Sequence, residues 1–447
     1  MFRNIFASMI AVFAIVSIST TSFSMNIAEE GAFVLDSDKT ILRSLAVNKD
    51  LIFDHPNAMG FEVYGPKGLH AFLTRAGIQF IDLNAQNAMM DTLNYPSPEQ
   101  IEAELRDLNK RFPHLTELIE IGRSVEGRPL LVLKISDNAA IDELEPEFKY
   151  ISSMHGDEIT GRELMVRLAK DILEAYGTDD EVTNLVDNTE IFIMASMNPD
   201  GSHRKQRGNA NWRDLNRDFP DFSTSDNKDD PAGRQVETQA VMKFQKSRQF
   251  ALSSNFHGGA EVMNYAWDTI PDRHPFYDLL IELALDYVEK APYIKNGGFK
   301  NGITNGYAWY EVNNGMQDWS YYWYNDLQFT VELSRSKWPS YSSIPYYYEQ
   351  NKPALLSQIK YVHMGAGFKI EVPEIDGEVK VSRVEGDSTQ VLGTYKFRKS
   401  EFYKVLPVGE YLFEVSSDKV GTQVFQMKVE RPQNKSVSPN YAVISFD

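Results

Sequence analysis

The chain has 447 residues, and its 45 Lys and Arg against 63 Asp and Glu give a formal charge of −18. With 42% hydrophobic residues, a chain of this length has enough apolar material for two or three packed domains. The acidic balance argues against nucleic-acid binding and against docking on anionic lipid. The absence of cysteine excludes disulfides, thiolate nucleophiles and cysteine-type zinc sites. Any metal must be held by His, Asp or Glu, and the chain has eight histidines.

The first 24 residues have the pattern of a secretory signal peptide. Arg3 precedes an apolar run at residues 5–18, and small residues follow up to Ser24. This run is shorter than the roughly 20 residues that a membrane span needs, and no later run is long enough. A buried N-terminal helix is the alternative. We therefore expect a secreted or periplasmic protein without a membrane span.

Residues 25–95 form a separate leading segment. The pattern predicts a strand at 61–64, a turn and helix at 66–76, and a second strand at 78–81. These elements indicate a small α/β unit or a pro-segment. No chemistry stands out in this segment.

The main domain is predicted at residues 96–365. Ser97 and Pro98 mark the start of a helix, and apolar strands then alternate with amphipathic helices. This alternation predicts an α/β fold, with a mixed, mostly parallel sheet flanked by helices. The candidate strands are residues 130–135, 149–154, 191–195, 250–255 and 327–333.

A different pattern begins after residue 365. Short alternating runs, separated by Gly, Pro and Ser-Asp turns, predict a small antiparallel β-sandwich at residues 366–447.

Two histidines directly follow predicted strands. His155 comes after strand 149–154 and His257 after strand 250–255, and Glu158 lies three residues beyond His155. Ligand sites in α/β sheets lie at the carboxyl ends of the strands. Two imidazoles and one carboxylate, with a fourth position left to water, are typical of catalytic zinc. The His-x-x-Glu spacing alone is weak and also fits a surface turn.

Two further features bear on catalysis. Glu332 lies within an apolar strand, where a buried carboxylate is unfavourable unless it has a function or pairs with a cation. It could be the base that takes a proton from water, or half of a buried ion pair. Residues 204–217 form a basic cluster, which is either an exposed loop or a site for an anionic substrate group.

Several motifs, in order across about residues 97–365, resemble the zinc carboxypeptidases, and within them the regulatory branch of carboxypeptidases N, E, D and M. The stretches that carry the resemblance are Gly122-Arg123-Ser124-Val125-Glu126-Gly127-Arg128, Met154-His155-Gly156-Asp157-Glu158, Ser196-Met197-Asn198-Pro199-Asp200-Gly201, Asp214-Leu215-Asn216-Arg217-Asp218-Phe219-Pro220, His257-Gly258-Gly259-Ala260, Gly315-Met316-Gln317-Asp318 and Val331-Glu332-Leu333-Ser334. In that branch, the segment after residue 366 corresponds to a transthyretin-like domain.

The resemblance implies one Zn²⁺ per chain, held by His155, Glu158 and His257. It implies that Glu332 is the general base and later the proton donor. Arg207 falls on the position that polarises the scissile carbonyl, although Arg204 and Arg213 could compete for that role.

The resemblance also implies five substrate-binding residues. Asn216 and Arg217 correspond to the pair that grips the terminal carboxylate of the peptide. Tyr310 matches a mobile tyrosine that closes over the peptide. Asp268 matches the acidic residue of the S1′ pocket, and Gln317 a neighbouring polar residue. Without their spacing, Tyr310 would be one aromatic among many and Asp268 an ordinary turn residue.

These observations predict an exported zinc carboxypeptidase that removes single C-terminal residues, preferentially Lys or Arg. The expected partners are peptide or protein C-termini, without nucleic acid. The oligomeric state is open, with a monomer favoured. Two alternatives stay open: a peptidoglycan stem-peptide hydrolase on the same scaffold, and a non-catalytic binding or adhesion relative.

Overall fold

The N-terminal segment folds as a small α/β unit built on a four-stranded sheet. The computed structural model describes residues 26–37, 39–89, 95–419, 421–432 and 436–445, so the predicted signal peptide at 1–24 lies outside the described residues. The strands of this unit have the order β2-β3-β1-β4, and all their pairings are antiparallel. Its elements are β1 Glu30–Leu35, α1 Thr40–Leu45, β2 Ile52–Asp54, β3 Gly60–Gly65, α2 Leu69–Arg75, β4 Phe80–Asp82 and α3 Leu83–Ala88.

The sequence anticipated only part of this unit. The strand at 61–64, the helix at 66–76 and the strand at 78–81 correspond to β3, α2 and β4. β1, β2, α1 and α3 were not predicted, because these are short elements with little periodicity.

An eight-stranded mixed sheet forms the centre of the molecule. Its four central strands, in the order β12-β9-β7-β8, run parallel, and the flanking strands β10 and β6 join them antiparallel. The strands are β5 Thr116–Arg123, β6 Pro129–Ile135, β7 Glu147–Ser152, β8 Glu190–Met194, β9 Phe250–His257, β10 Glu261–Tyr265, β11 Ile303–Asn305 and β12 Leu327–Leu333. The predicted α/β sheet is therefore confirmed.

Both faces of this sheet are buried, because alternate side chains of a strand point to opposite faces. On β6, Leu131 and Leu133 belong to one apolar cluster, whereas Leu130 and Val132 belong to another. Helices cover both clusters. They are α4 Pro98–Arg111, α5 Thr160–Ala175, α6 Asp180–Val186, α7 Pro199–Arg204, α8 Val236–Ser247, α9 Tyr277–Lys290, α10 Gly306–Trp309, α11 Met316–Tyr324 and α12 Ile344–Tyr361.

The start of α4 follows the predicted capping pattern. Ser97 accepts from the backbone N–H of Gln100, and the Gln100 side chain accepts from the backbone N–H of Ser97. This reciprocal capping box, with Pro98 at the first helical position, satisfies amide groups that would otherwise lack partners.

The chain ends in an all-β region of two small sheets. One sheet has the strand order β16-β13-β19 and the other β15-β14-β17-β18. The strands are β13 Gly365–Ile370, β14 Gly377–Glu385, β15 Ser388–Phe397, β16 Glu401–Val405, β17 Gly409–Ser417, β18 Gly421–Val429 and β19 Tyr441–Ile444. This confirms the all-β character of the region. No helix of the described residues combines the length and the apolar character needed to cross a membrane.

Candidate active site

Three side chains converge at the carboxyl ends of the parallel strands. His155 and Glu158 follow β7, and His257 is the last residue of β9. Glu158 Oε2 lies 3.0 Å from His155 Nδ1 and 2.9 Å from His257 Nδ1, and the two Nδ1 atoms are 3.1 Å apart. All three side chains are buried.

This donor set fits a zinc ion. Two ring nitrogens that face one carboxylate oxygen at such short distances present converging lone pairs, which a cation satisfies better than a shared proton. Protein ligands bind Zn²⁺ at about 2.0–2.2 Å in tetrahedral geometry, which separates the ligand atoms by a little over 3 Å. His155 Nε2 lies 2.9 Å from Asp214 Oδ1, and this carboxylate fixes the ring so that Nδ1 faces the site.

Glu332 lies beside this centre. On β12 it is in register with His257 of β9, so the two side chains enter the same cleft. Glu332 is buried, and its Oε2 has no hydrogen-bond partner among the described residues. Its Oε1 lies 3.1 Å from Nε2 of His55.

Arg207 reaches the end of the cleft that contains Glu158. Its Nε donates to Asp214 Oδ2 at 2.9 Å, and its Nη1 lies 3.4 Å from Glu158 Oε1. Arg204 instead pairs with Glu126 at the surface. Of these two arginines, therefore, Arg207 can reach a group bound next to Glu158.

The predicted substrate-binding residues line the same cleft. Asn216, Arg217, Asp268 and Tyr310 share a small cavity with His155, His257, Arg207 and Glu332. Gln317 lies behind this wall and donates to Asp268 Oδ1 at 2.9 Å. The structure thus brings all ten predicted residues together, while their roles stay predictions.

Among the described residues, the Asp268 carboxyl group forms no salt bridge, although the Arg217 charge favours its ionised form. It accepts hydrogen bonds from the amides of Asn264 and Gln317, and a second buried carboxyl, Asp318, lies nearby. Burial and the charge of Asp318 raise the pKa of Asp268 well above its usual range. Burial likewise raises the pKa of Asp318 to about 7.

No chemistry was predicted for residues 25–95, but two residues of this segment contact the cleft. Asp54, the last residue of β2, pairs with Arg207 and accepts a hydrogen bond from the Tyr310 hydroxyl. The next residue, His55, contacts Glu332. The sequence signal was faint: an acidic residue and a histidine side by side, between a short apolar run and Pro56.

Lys337 was also missed. Its Nζ lies 3.2 Å from Glu158 Oε1 and 2.8 Å from Glu62 Oε2, so it links Glu158 to the N-terminal unit. Burial would raise the pKa of Glu158, but His155 and Lys337 hold it well below its ordinary value. Burial would likewise raise the pKa of Glu62, and Lys337 and His55 lower it to about 2. These carboxylates are therefore ionised.

Comparisons with known proteins agree with this geometry. The family model for zinc carboxypeptidases matches residues 101–354. Carboxypeptidase M of Mus musculus is 35% identical over 354 residues, which cover 72% of this chain and 78% of that protein. Carboxypeptidase D of Anas platyrhynchos is 38% identical over 376 residues, which cover 78% of this chain and 26% of that protein. The chain thus spans about a quarter of the length of the carboxypeptidase D that it matches.

A solved structure supports the fold. The crystal structure of thrombin activatable fibrinolysis inhibitor aligns with a TM-score of 0.58 and 19% identity, over 75% of this chain and 99% of that one. At this identity the likeness concerns the fold alone. The family match and the identity to carboxypeptidase M go further, and they show that this chain belongs to the zinc carboxypeptidase family, which uses one zinc per chain.

Proposed function

We propose that this enzyme removes single C-terminal residues from peptides or proteins, with a preference for Lys and Arg. The observation that carries the proposal is a buried carboxyl without a bound cation, Asp268, in the wall of the cavity that contains Glu332 and Arg217. A basic side chain entering this cavity would supply the missing positive charge.

Recognition of the peptide terminus falls to Asn216 and Arg217. In this structure the Arg217 guanidinium donates to two backbone carbonyl oxygens, those of Asn216 at 2.9 Å and Phe53 at 3.3 Å. A terminal carboxylate accepts from a guanidinium with two parallel bonds, so it would replace the contact to Phe53. The need for a free carboxylate limits cleavage to the last residue.

The catalytic step is assigned to Glu332 and Arg207. When bound, zinc supplies Lewis acidity that activates water and polarises a carbonyl. Glu332 has an unpartnered carboxylate oxygen, Oε2, with which to take the proton of the attacking water. It then delivers that proton to the leaving amine. Arg207 Nη2 has no hydrogen-bond partner among the described residues, so it can donate to the oxygen that becomes negative during attack.

Tyr310 is proposed to close over the bound peptide. Its hydroxyl donates to Asp54 in this structure, so it already binds a carboxylate inside the cleft. A substrate amide or carboxylate would take the same hydrogen bond.

We also propose the remaining assignments. Residues 1–24 direct export and are removed, which N-terminal sequencing of the exported protein would test by a start at Met25. Residues 96–365 form the catalytic domain, and the β-region 366–447 corresponds to the transthyretin-like domain of the regulatory branch. The short alternating strands after residue 365 support this last assignment.

A hydrolysis profile tests the main proposal. Purified zinc-loaded protein is incubated with peptides that differ only in a C-terminal Lys, Arg, Leu, Phe or Glu, and the released amino acid is quantified. We expect release of Lys and Arg to be fastest and to stop on addition of a zinc chelator. Equal release of all five residues would refute the basic preference, and cleavage of muropeptides alone would indicate the peptidoglycan alternative.

A further inference from the structure

The loop between β6 and β7, residues 136–146, lies at the edge of the central sheet opposite the candidate active site. His155 and Glu158 follow the carboxyl end of β7, whereas this loop leads into its amino end at Glu147. The six residues of β7 span roughly 20 Å. The loop is therefore separate from the cleft and from the groups to which catalysis was assigned above.

Three acidic residues of this loop, Asp137, Glu143 and Glu145, lie together, and we call them the loop trio. One carboxylate oxygen of each lies within 4.8 Å of those of the other two. Asp137 is exposed and Glu143 is partly buried, whereas Glu145 is only 9% exposed. The loop trio thus has a buried inner end and an open outer end, through which an ion and water can enter.

Two buried oxygens of the loop trio lack a hydrogen-bond donor. Neither Glu143 Oε2 nor Glu145 Oε2 has a partner among the described residues. A buried carboxylate oxygen without a donor or a cation is unfavourable, because it has lost the hydration that it had in the unfolded chain. Burial and the charges of Asp137 and Glu143 accordingly raise the pKa of Glu145 to about 8. Glu145 therefore offers a buried, unpartnered ligand that faces the other two carboxylates.

The lysine whose charge acts on Glu145, Lys134, binds other groups. Its Nζ donates to Glu190 Oε1 and to the carbonyl oxygen of Ile141, both at 2.6 Å. Its charge opposes the rise in the pKa of Glu145 but does not reverse it. Within the ranges that the structure describes, no ion pair joins the loop trio to a Lys, Arg or His side chain.

A neighbouring acidic trio shows how the fold can fill such a cluster with a cation of its own. Asp142, Glu147 and Glu190 surround the guanidinium of Arg248, whose Nη1 lies 3.0, 3.3 and 3.7 Å from their respective oxygens. The carboxylate oxygens of this second trio meet the same limit of 4.8 Å as those of the loop trio. The two trios thus share their spacing and differ in the presence of an arginine.

We propose that the loop trio binds one calcium ion. Ca²⁺ binds oxygen ligands at 2.3–2.6 Å, so two ligand oxygens on one ion lie up to about 5 Å apart, a limit that the loop trio meets. A site of carboxylates, without imidazole or thiolate, favours Ca²⁺ or Mg²⁺ over Zn²⁺. Water can complete the shell on the exposed side of Asp137, and Ca²⁺ accepts such an irregular shell more readily than Mg²⁺, which requires near-ideal octahedral geometry.

Bound calcium would hold together the two ends of the loop. Asp137 lies two residues after the end of β6, and Glu145 lies two residues before the start of β7. An ion that binds the folded chain and not the unfolded one shifts the equilibrium toward the folded state. We therefore expect calcium to raise the midpoint of thermal unfolding.

Calorimetric titration of the zinc-loaded full chain with CaCl₂ tests the site. We expect one site with a Kd of about 10⁻⁴ M, and weaker binding of MgCl₂. Glu145→Gln and Glu143→Gln each replace a carboxylate by an amide of the same shape, so each should weaken calcium binding at least about tenfold. Asp142→Asn is the matched control from the same loop, because its carboxylate already pairs with Arg248, and it should bind calcium within about threefold of the wild type.

Thermal unfolding separates ion binding from a purely structural role of Glu145. Without calcium, Glu145→Gln should unfold at the same temperature as the wild type or a higher one, because it removes a buried carboxyl that faces two others. In about 5 mM CaCl₂, the wild type and Asp142→Asn should gain stability and Glu145→Gln should not. No calcium binding by the wild type, equal binding by both glutamine variants with their zinc retained, or magnesium binding as tight as that of calcium would overturn the inference.

Discussion

Two parts of the cleft differ in the charges that surround their buried carboxylates. Around the candidate metal ligands, negative charges meet positive ones: Glu158 lies 3.2 Å from Lys337, and Asp214 lies 2.9 Å from Arg207. In the proposed specificity pocket, Asp268 contacts two neutral amides and lies near another carboxyl group.

The pKa values of Glu158 and Asp268 shift in opposite directions. Burial would raise the pKa of both Glu158 and Asp268, but nearby cations reverse the effect for Glu158 and not for Asp268. A buried carboxyl without a cation prefers to keep its proton, so it is poised to ionise when a positive ligand arrives. The fold itself thus places cations beside the carboxylates of the candidate metal centre, whereas under the proposed function the substrate supplies the cation for Asp268.

The largest expected loss of activity follows from substitution of Glu332, beside the candidate metal ligands. Glu332→Gln keeps the size of the side chain but removes the group proposed to take the proton from water. We expect kcat to fall by about 10²–10⁴-fold with zinc content unchanged, because that is the usual contribution of a general base. Glu311→Gln, an exposed neighbour, should retain full activity. Equal turnover by Glu332→Gln would assign proton transfer to another group.

A smaller effect is expected in the specificity pocket. Asp268→Asn retains hydrogen-bonding atoms but cannot ionise, so kcat/KM for an Arg-terminated peptide should fall by about 10–100-fold, the loss of one charge-assisted bond. Cleavage of a Leu-terminated peptide should stay within about threefold of the wild type. If the Lys and Arg preference survives this substitution, Asp268 does not set it.

The pH dependence of KM tests the proposed role of Asp268, with the smallest expected effect. Because the folded protein raises the pKa of Asp268, the carboxyl is neutral below that pKa and charged above it. KM for an Arg-terminated peptide should therefore fall as pH rises, and then level off. KM for a Leu-terminated peptide should not show this fall with pH.

Asp318→Asn should change the pH at which KM falls for an Arg-terminated peptide, without abolishing the fall. Its side-chain oxygen can still accept from the backbone N–H groups of Asp268 and Thr269, which Asp318 binds at 2.9 and 3.0 Å. Removing its negative charge lowers the pKa of Asp268, so the fall in KM should shift to lower pH. A shift to higher pH would contradict the proposed repulsion.

The metal centre was predictable because its signals are local. His155 and His257 each follow an apolar strand, and parallel strands bring their carboxyl ends to one edge of the sheet. The position of Glu332 depends only on the register of β12 with β9, two adjacent strands of that sheet.

The insertion of Asp54 and His55 was not predictable in this way. His55 is 277 residues from its partner Glu332, and no periodicity links a short edge segment to a distant cleft. The left-handed turn at His55 also lacks a sequence signal, since glycine or asparagine usually marks such a position. Polar contacts between separate units depend on how the units dock, which strand and helix patterns do not encode.

The most direct test measures the selectivity of the enzyme for the C-terminal residue. Zinc-loaded full-length protein is assayed for kcat/KM on two peptides that differ only in a C-terminal Arg or Leu. The account predicts at least about a tenfold preference for Arg, equivalent to about 1.4 kcal/mol, and loss of activity with a chelator. A ratio near one, or activity that survives zinc removal, would contradict it.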